Sequence, residues 1–148
     1  MKQFVTDDMK RFNYLSSELD AAYHDAAVKM GLSDSAMLVL YAICGDGGDS
    51  CLLSDIPRLS GVSKQTINSA LRKLETEGVV YLEVPGGRRK RVRLTEAGKA
   101  LAGRTVLPMI EIENQIFDGW PREERELYLD LTLRYLTEFK EKTKDLYT

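Results

Sequence analysis

The chain has 148 residues, of which 43% are hydrophobic and 30% charged, and its formal net charge is −2. This composition indicates one globular domain's worth of protein and excludes a disordered chain. The longest apolar run, residues 36–44, is less than half of the roughly 20 residues that a membrane-spanning helix needs, so no membrane partner is expected.

The first fifteen residues mix acids with bases and lack an apolar core, so no secretory signal is expected. Two cysteines and one histidine cannot supply the four ligands of a structural zinc site. Two cysteines are also too few for a disulfide scaffold. We therefore expect a protein of the reducing cytoplasm without a metal or a cofactor.

The amino-terminal third of the chain predicts two helices. Apolar residues recur every three or four positions from about Asp8 to Met30, which predicts one long amphipathic helix. Ser33 or Asp34 can cap a second helix, whose body at 36–44 is apolar on all sides and is predicted to be buried. Residues 45–50 are predicted to form a flexible break.

Two further helices are predicted around a tight turn. A short helix from about Leu53 to Ser60 is followed by Gly61 in the turn, and Ser63 caps a helix from Lys64 to Glu77. Gly78 stands where a left-handed residue commonly ends a helix. The side chains expected to point inward are Leu53, Ile56 and Leu59 in the short helix, and Ile67, Ala70, Leu71 and Leu74 in the longer one.

A β-hairpin is predicted next. Residues 78–84, GVVYLEV, are rich in β-branched and aromatic side chains, and 85–87, Pro-Gly-Gly, are typical of a turn. Arg88 to Leu94 form the predicted return strand, with Arg91 and Arg93 on one face of it.

The carboxy-terminal third predicts long helices again. One helix starts at Thr95 and is expected to kink at Pro108, and a last helix runs from about Glu123 to Leu146. The first and last helices both carry a broad apolar stripe. Burial of these stripes against a second copy would create a two-fold axis and a homodimer.

The charge is distributed unevenly. Residues 58–104 contain eleven bases and four acids, or +7, whereas the rest of the chain is −9. Five of those bases lie within residues 88–93 without an acid between them. Because screening limits electrostatic interactions to about 8–10 Å, a polyanion responds to this local patch and not to the net charge.

The helix–turn–helix and the basic hairpin together indicate binding to double-stranded DNA. The second helix of such a motif enters the major groove, where Gln and Asn can pair with adenine, while cations and the helix amino terminus suit phosphates. A narrow minor groove attracts arginine. The residues expected at the DNA interface are Ser63, Lys64, Gln65, Thr66, Asn68, Ser69, Arg72 and Lys73 on the helix, and Arg88, Arg89, Lys90 and Arg91 on the hairpin.

Several motifs resemble the MarR family of bacterial transcription regulators. They are Gly61-Val62-Ser63-Lys64-x-Thr66-Ile67, Leu74-Glu75-x-x-Gly78-Val79-Val80, Arg88, and Leu94-Thr95-x-x-Gly98. The resemblance implies a mainly α (α+β) fold, a winged helix-turn-helix with long N- and C-terminal dimerisation helices. It implies one domain over residues 1–148, with the winged-helix core at 32–98 and dimerisation helices at 1–31 and 99–148.

By the same resemblance the protein is a homodimeric, ligand-responsive repressor of a palindromic operator. Arg88 would be the arginine of the wing that enters the minor groove, although Gly86 replaces an aspartate usual in the family. The choice among Arg88, Arg89 and Arg91 therefore stays open. The resemblance also implies a pocket for a small-molecule effector between the dimerisation helices and the winged-helix core. The candidate residues are Tyr23, His24, Met37, Tyr41, Phe117 and Trp120.

Other functions are less well supported by the residues. No phosphate-binding loop or catalytic triad can be assembled, so we expect no enzyme and no catalytic residue. Redox sensing by Cys44 or Cys51 would need an exposed thiol with a lowered pKa, whereas their apolar and acidic surroundings disfavour the thiolate. The main alternative is a winged-helix module that binds a protein or RNA without operator specificity.

Overall fold

The computed structural model describes residues 4–84, 86 and 89–146. The chain divides into two compact units, residues 1–108 and 109–148. In chain order the elements are α1 (Asp7–Met30), α2 (Asp34–Cys44), β1 (Ser50–Leu52), α3 (Asp55–Ser60), α4 (Lys64–Thr76), β2 (Val80–Glu83), β3 (Arg91–Leu94), α5 (Glu96–Arg104), α6 (Val106–Asp118) and α7 (Arg122–Thr143). This confirms the predicted mainly α fold with a small sheet and long terminal helices.

Side-chain caps explain where the first helices begin. The hydroxyl of Thr6 accepts a hydrogen bond from the backbone N–H of Met9 (3.2 Å) at the start of α1. Ser33 accepts one from Ala36 N–H (3.1 Å) at the start of α2. Helix α2 supplies much of the core of the first unit, as its apolar sequence predicts. The largest fully buried side chains are Leu40, Ile43, Ile56, Ile67, Val39, Val92 and Val106.

The predicted flexible break at 45–50 is wrong at its end, because Ser50 begins strand β1. This strand pairs antiparallel with β3, and Cys51 lies opposite Val92. A strand of three residues is too short to show an alternating pattern, so only its partner strand makes it visible.

Helix α3 is shorter than predicted, since it begins at Asp55 and not at Leu53. Ile56 is fully buried, but the expected inward position of Leu59 is wrong, because this residue is 51% exposed. A helix of six residues makes fewer than two turns, so it presents a narrow stripe to the core. Helix α4 follows the prediction closely, with Ile67, Ala70, Leu71 and Leu74 buried.

The sheet has the order β1–β3–β2 and is antiparallel. Val92 and Leu94 are buried while Arg91 and Arg93 lie on the opposite face, as the alternation predicts. The return strand begins at Arg91, three residues later than expected, and Lys90 lies before it.

The long carboxy-terminal helix is interrupted between α5 and α6 at Thr105. Pro108 was the expected position of the kink. A proline ring collides with the carbonyl of the residue four positions earlier, which here is Arg104, the last residue of α5. The break therefore precedes the proline, and Pro108 lies in the first turn of α6, where its missing N–H has no cost.

The first turn of α5 lies directly against the backbone that follows α4. The Thr95 hydroxyl donates to the carbonyl oxygens of Gly78 (2.5 Å) and Val79 (3.1 Å), and accepts from Gly98 N–H (3.0 Å). A Cβ on Gly98 would lie 2.0 Å from the Val79 carbonyl oxygen. Only glycine permits this close approach, which fixes the end of α4 relative to α5.

In the described part of the chain, no single helix is both long and apolar enough to cross a membrane. Helices α1 and α2 meet that criterion only as a pair joined through a bend of 88°.

We expect Gly98→Ala to lower the free energy of unfolding by about 1–3 kcal/mol, because the new methyl group must push the Val79 carbonyl away. Gly103→Ala is the matched control in the same helix, where nothing lies within 4 Å of the added Cβ. It should be neutral or stabilise by up to about 1 kcal/mol. Urea denaturation measures both, and equal effects of the two substitutions would contradict this account.

Candidate nucleic-acid interface

Helix α4 separates its two faces sharply. Its apolar stripe is buried, whereas every α4 residue expected at a DNA interface is exposed. These exposed residues are Lys64, Gln65, Thr66, Asn68, Ser69, Arg72 and Lys73. The polar face is thus open to a partner along the length of the helix.

Two of the predicted contact residues have a structural task at the start of α4. The Ser63 hydroxyl accepts from Thr66 N–H (3.3 Å) and lies 3.0 Å from the Thr66 hydroxyl, to which it donates. The first turn contains no acidic residue. Its free N–H groups and the positive end of the helix dipole are therefore not offset by a carboxylate, which suits a phosphate group.

The hairpin of strands β2 and β3, with the residues between them, is here called the wing. Its described cations differ in their contacts. Arg89 and Lys90 are exposed, and neither makes an ion pair with the residues that the structure describes. Arg91 donates from Nη2 to the Ser50 hydroxyl (3.1 Å). Arg93 donates from Nε to Glu83 Oε2 (2.5 Å). Arg88 lies outside the described residues.

The helix and the wing meet at one groove of about 370 Å³. Lys64 and Asn68 line it from α4, and Arg89 and Lys90 line it from the wing. The remaining wall is formed by Leu53, Ser54 and Pro57 before and within α3 and by Ile67 of α4. Sequence reasoning missed it because Leu53 and Ile67 are predicted to point inward and no charge marks Ser54 or Pro57. The structure thus brings the two predicted cationic elements together at a common surface.

The residues expected to bind an effector fall in both units. In the first unit, Met37 is 4% exposed. The side chain of His24 is largely exposed, and its Nδ1 lies 2.9 and 3.0 Å from the two carboxylate oxygens of Asp34. Tyr23 and Tyr41 are half-buried. The effector role of these four residues stays a prediction.

The other two candidates belong to an aromatic cluster in the second unit. Phe117 and Trp120 have ring centroids 5.2 Å apart, and Tyr128 lies 5.5 Å from Trp120 in an edge-to-face arrangement. Arg125 donates from Nη1 to the Phe117 carbonyl oxygen (3.1 Å). These rings hold the corner between α6 and α7, and an effector role for Phe117 and Trp120 likewise stays a prediction.

Both cysteines are buried and free. Burial raises the pKa of the Cys44 thiol. Burial, together with the nearby Asp55 carboxylate, raises the pKa of Cys51 from 9.0 to about 11. A redox sensor needs the opposite, an accessible thiol with a lowered pKa. The sequence expectation that the surroundings disfavour the thiolate is confirmed.

Comparison with known proteins identifies the kind of fold. Residues 30–90 match the model of the MarR family. The structure is similar to a MarR family transcriptional regulator from Silicibacter pomeroyi, with 28% identity, a TM-score of 0.64 and 86% of each chain covered. It is also similar to a MarR family regulator from Neisseria meningitidis, with 21% identity, a TM-score of 0.76, and 97% of this chain and 100% of that chain covered. No curated protein matches the chain.

MepR and NadR are among the neighbours solved with bound molecules. MepR from Staphylococcus aureus, in complex with DNA, has 20% identity and a TM-score of 0.70, over 90% of this chain and 96% of MepR. NadR, in complex with 4-hydroxyphenylacetate, has 17% identity and a TM-score of 0.66, over 91% of this chain and 96% of NadR. At these identities the likeness establishes the shared fold.

We expect the native Cys51 thiol to react with iodoacetamide at pH 8 roughly 100-fold more slowly than in urea-unfolded protein, since a pKa of about 11 leaves little thiolate. The Cys44→Ala variant isolates this thiol. Between pH 9 and 11 the unfolded thiol releases its proton and the native thiol keeps it, so folding stability should fall as the pH rises through this window. Equal native and unfolded alkylation rates would contradict the assignment.

Proposed function

Since residues 30–90 match the MarR family model and the chain has the fold of MarR family transcriptional regulators, we propose that it binds double-stranded DNA as a homodimer and represses transcription from a palindromic operator. The observation that carries the proposal is the groove lined jointly by Lys64 and Asn68 of α4 and by Arg89 and Lys90 of the wing. Cations without an ion-pair partner among the described residues, beside an exposed polar helix face, suit a phosphate backbone and the adjoining base edges.

The proposal assigns different tasks to the two kinds of side chain. Gln65 and Asn68 are exposed amides that can read adenine in the major groove. Lys64, Arg72, Arg89 and Lys90 contact phosphates and set the orientation of the duplex. The minor-groove role of Arg88 or of a neighbouring arginine stays a prediction.

Exposed apolar stripes support the homodimer. On α1, Phe12 is 45% exposed, and Leu15 and Leu19 are each 54% exposed. Helix α7 contains no buried residue among those described, and Leu131 and Leu136 on it are 50% and 47% exposed. A second copy of the chain would remove both stripes from water. In this arrangement, residues 1–31 and 99–148 provide the dimerisation helices and residues 32–98 provide the reading head.

The proposal includes a small-molecule effector. NadR, a neighbour with the same fold, binds 4-hydroxyphenylacetate, an aromatic carboxylate. A ligand of that class would need an aromatic or apolar wall and a polar partner, which the candidate residues Tyr23, His24, Met37, Tyr41, Phe117 and Trp120 include by type. Titration of 4-hydroxyphenylacetate into the DNA complex measures directly whether a ligand of this class changes the affinity for DNA.

The alternative, a module that binds protein or RNA, makes a different prediction about salt. A dimer that touches six to ten phosphates loses roughly 10³–10⁵ in affinity for duplex DNA between about 50 and 200 mM salt. A protein partner gives a shallower dependence and no preference for a palindrome.

We expect the Arg89→Ala/Lys90→Ala double variant to bind all duplexes more weakly and to reduce the salt slope by about 2 for each reading head, because each lost phosphate contact removes about one released counterion. Fluorescence anisotropy with a random-sequence duplex and with a palindrome selected from a random pool measures both effects.

Asn68→Ala is the contrasting variant on the same groove. It should relax the preference at one position of the selected palindrome by about 1–3 kcal/mol and leave the salt slope unchanged. Equal losses on the selected and random duplexes would refute a base-reading role for Asn68, and a wild-type protein that binds neither duplex would refute the proposed function.

We expect the wild-type chain to sediment at twice its monomer mass, and the Leu131→Glu/Leu136→Glu double variant to raise the dimer dissociation constant by more than about 100-fold, because each protomer would bury charge in place of two leucines. Asp130→Lys on the polar stripe of α7 is the control and should leave the dimer intact. A double variant that stays dimeric would show that α7 does not form the interface.

A further inference from the structure

Resting on the proposed function, we infer that Arg93 and Glu83 are positioning residues that fix the wing for DNA, and that Arg93 is not itself a DNA contact. The wing thereby divides its cations between two tasks. Arg89 and Lys90 face outward toward the duplex, and Arg93 holds the base of the hairpin in place.

The contacts of Arg93 join the strands of the wing to each other and to the loop before β1. Its Nε donates to Glu83 Oε2 across the β2–β3 pair (2.5 Å), and its Nη1 lies 3.8 Å from Asp49 Oδ1. The strand register explains the first contact, because Glu83 pairs with Arg91, and Arg93 is two residues further along the same face.

Asp49 extends the network to helix α5. Its other carboxylate oxygen lies 3.4 Å from Lys99 Nζ, and its backbone carbonyl accepts from Leu94 N–H (2.9 Å). Lys99 also pairs with Glu96 (3.1 Å). The base of the wing is therefore connected through Asp49 to the first turn of α5, which itself lies against the end of α4.

The charge of this network argues against a phosphate contact. Two cations, Arg93 and Lys99, face three carboxylates, those of Glu83, Asp49 and Glu96. The hydrogen bond and the charge of Glu83 are the main causes that raise the pKa of Arg93. In contrast, Arg89 and Lys90 have no carboxylate partner within the described ranges.

Strands β2 and β3 are only four residues long, so side-chain contacts at the base of the hairpin add to the stability that the three-stranded sheet supplies. Any disorder of the wing in the free protein must be removed when DNA binds, and this ordering lowers the affinity. A network of side chains that already holds the hairpin base reduces that cost.

The direction in which Glu83→Gln changes the affinity for DNA tests the inference. We expect Glu83→Gln to weaken binding to a random-sequence duplex roughly threefold to tenfold with an unchanged salt slope, the size expected when one or two side chains must be ordered on binding. Arg93→Gln should have the same effect, and the double variant should be no worse than either single variant. Hydrogen exchange at the amides of 91–94 should rise in all three variants of the free protein.

Glu126→Gln is the matched control, because it removes a carboxylate from another arginine pair, Arg122 Nε to Glu126 Oε1 at 2.8 Å in α7. It reports the combined effect of the changed net charge and of a lost arginine–carboxylate pair outside the wing. If Arg93 instead contacts a phosphate and Glu83 only restrains it, Glu83→Gln must tighten binding and steepen the salt slope, which overturns the inference. Loss no larger than that of the control overturns it as well.

Failure of this inference and failure of the proposed function can be told apart. A wild-type protein that does not bind duplex DNA refutes the proposed function, and the inference falls with it. A wild-type protein that binds, combined with a tighter Glu83→Gln variant, refutes the inference alone.

Discussion

The burial of one stripe of α4 against α2 determines what the rest of this helix can do. Ile67 and Leu71 are held in the core at 1% and 3% exposure, so the rotation of α4 about its axis is fixed. Asn68 and Ser69, which lie between them, then point outward, and this places Asn68 at the groove. Loss of that packing would leave the polar side chains in place along the chain but without a common direction.

The wing depends on the same core through its other face. Val92 and Leu94 bury one side of β3, which places Arg91 and Arg93 together on the other side. There the acids supplied by β2 and by the loop before β1 engage Arg93. Arg89 and Lys90 precede the strand, beyond the reach of that alternation, and they line the groove. The sequence shows these cations as one cluster, but their contacts differ according to whether they lie before β3 or within it.

Periodic burial is what made much of this fold predictable. The stripe of α4, its Ser63 cap and the alternation in β3 each repeat a local rule, and each was confirmed. Strand β1 and the exposure of Leu59 were missed because they depend on which segment lies opposite, which a local pattern does not contain. The cluster of cations at 88–93 predicted a surface for a polyanion. That Arg93 turns to Glu83 follows from strand register, and register becomes known only when both strands are placed.

Under the proposed function, a single reading head of this size would discriminate only weakly between DNA sequences. Each correct base contact contributes about 1–3 kcal/mol, and α4 offers few amides, whereas a genome offers very many competing sites. Two reading heads related by a two-fold axis would square the ratio of affinities for correct and incorrect DNA sequences, provided that the scaffold fixes their spacing. The same chain has apolar side chains exposed on α1 and, separately, on α7 among the residues that the structure describes. In the proposed homodimer, one event, the association of two copies, would meet both requirements: burial of the apolar side chains of the long helices and selectivity for DNA sequence.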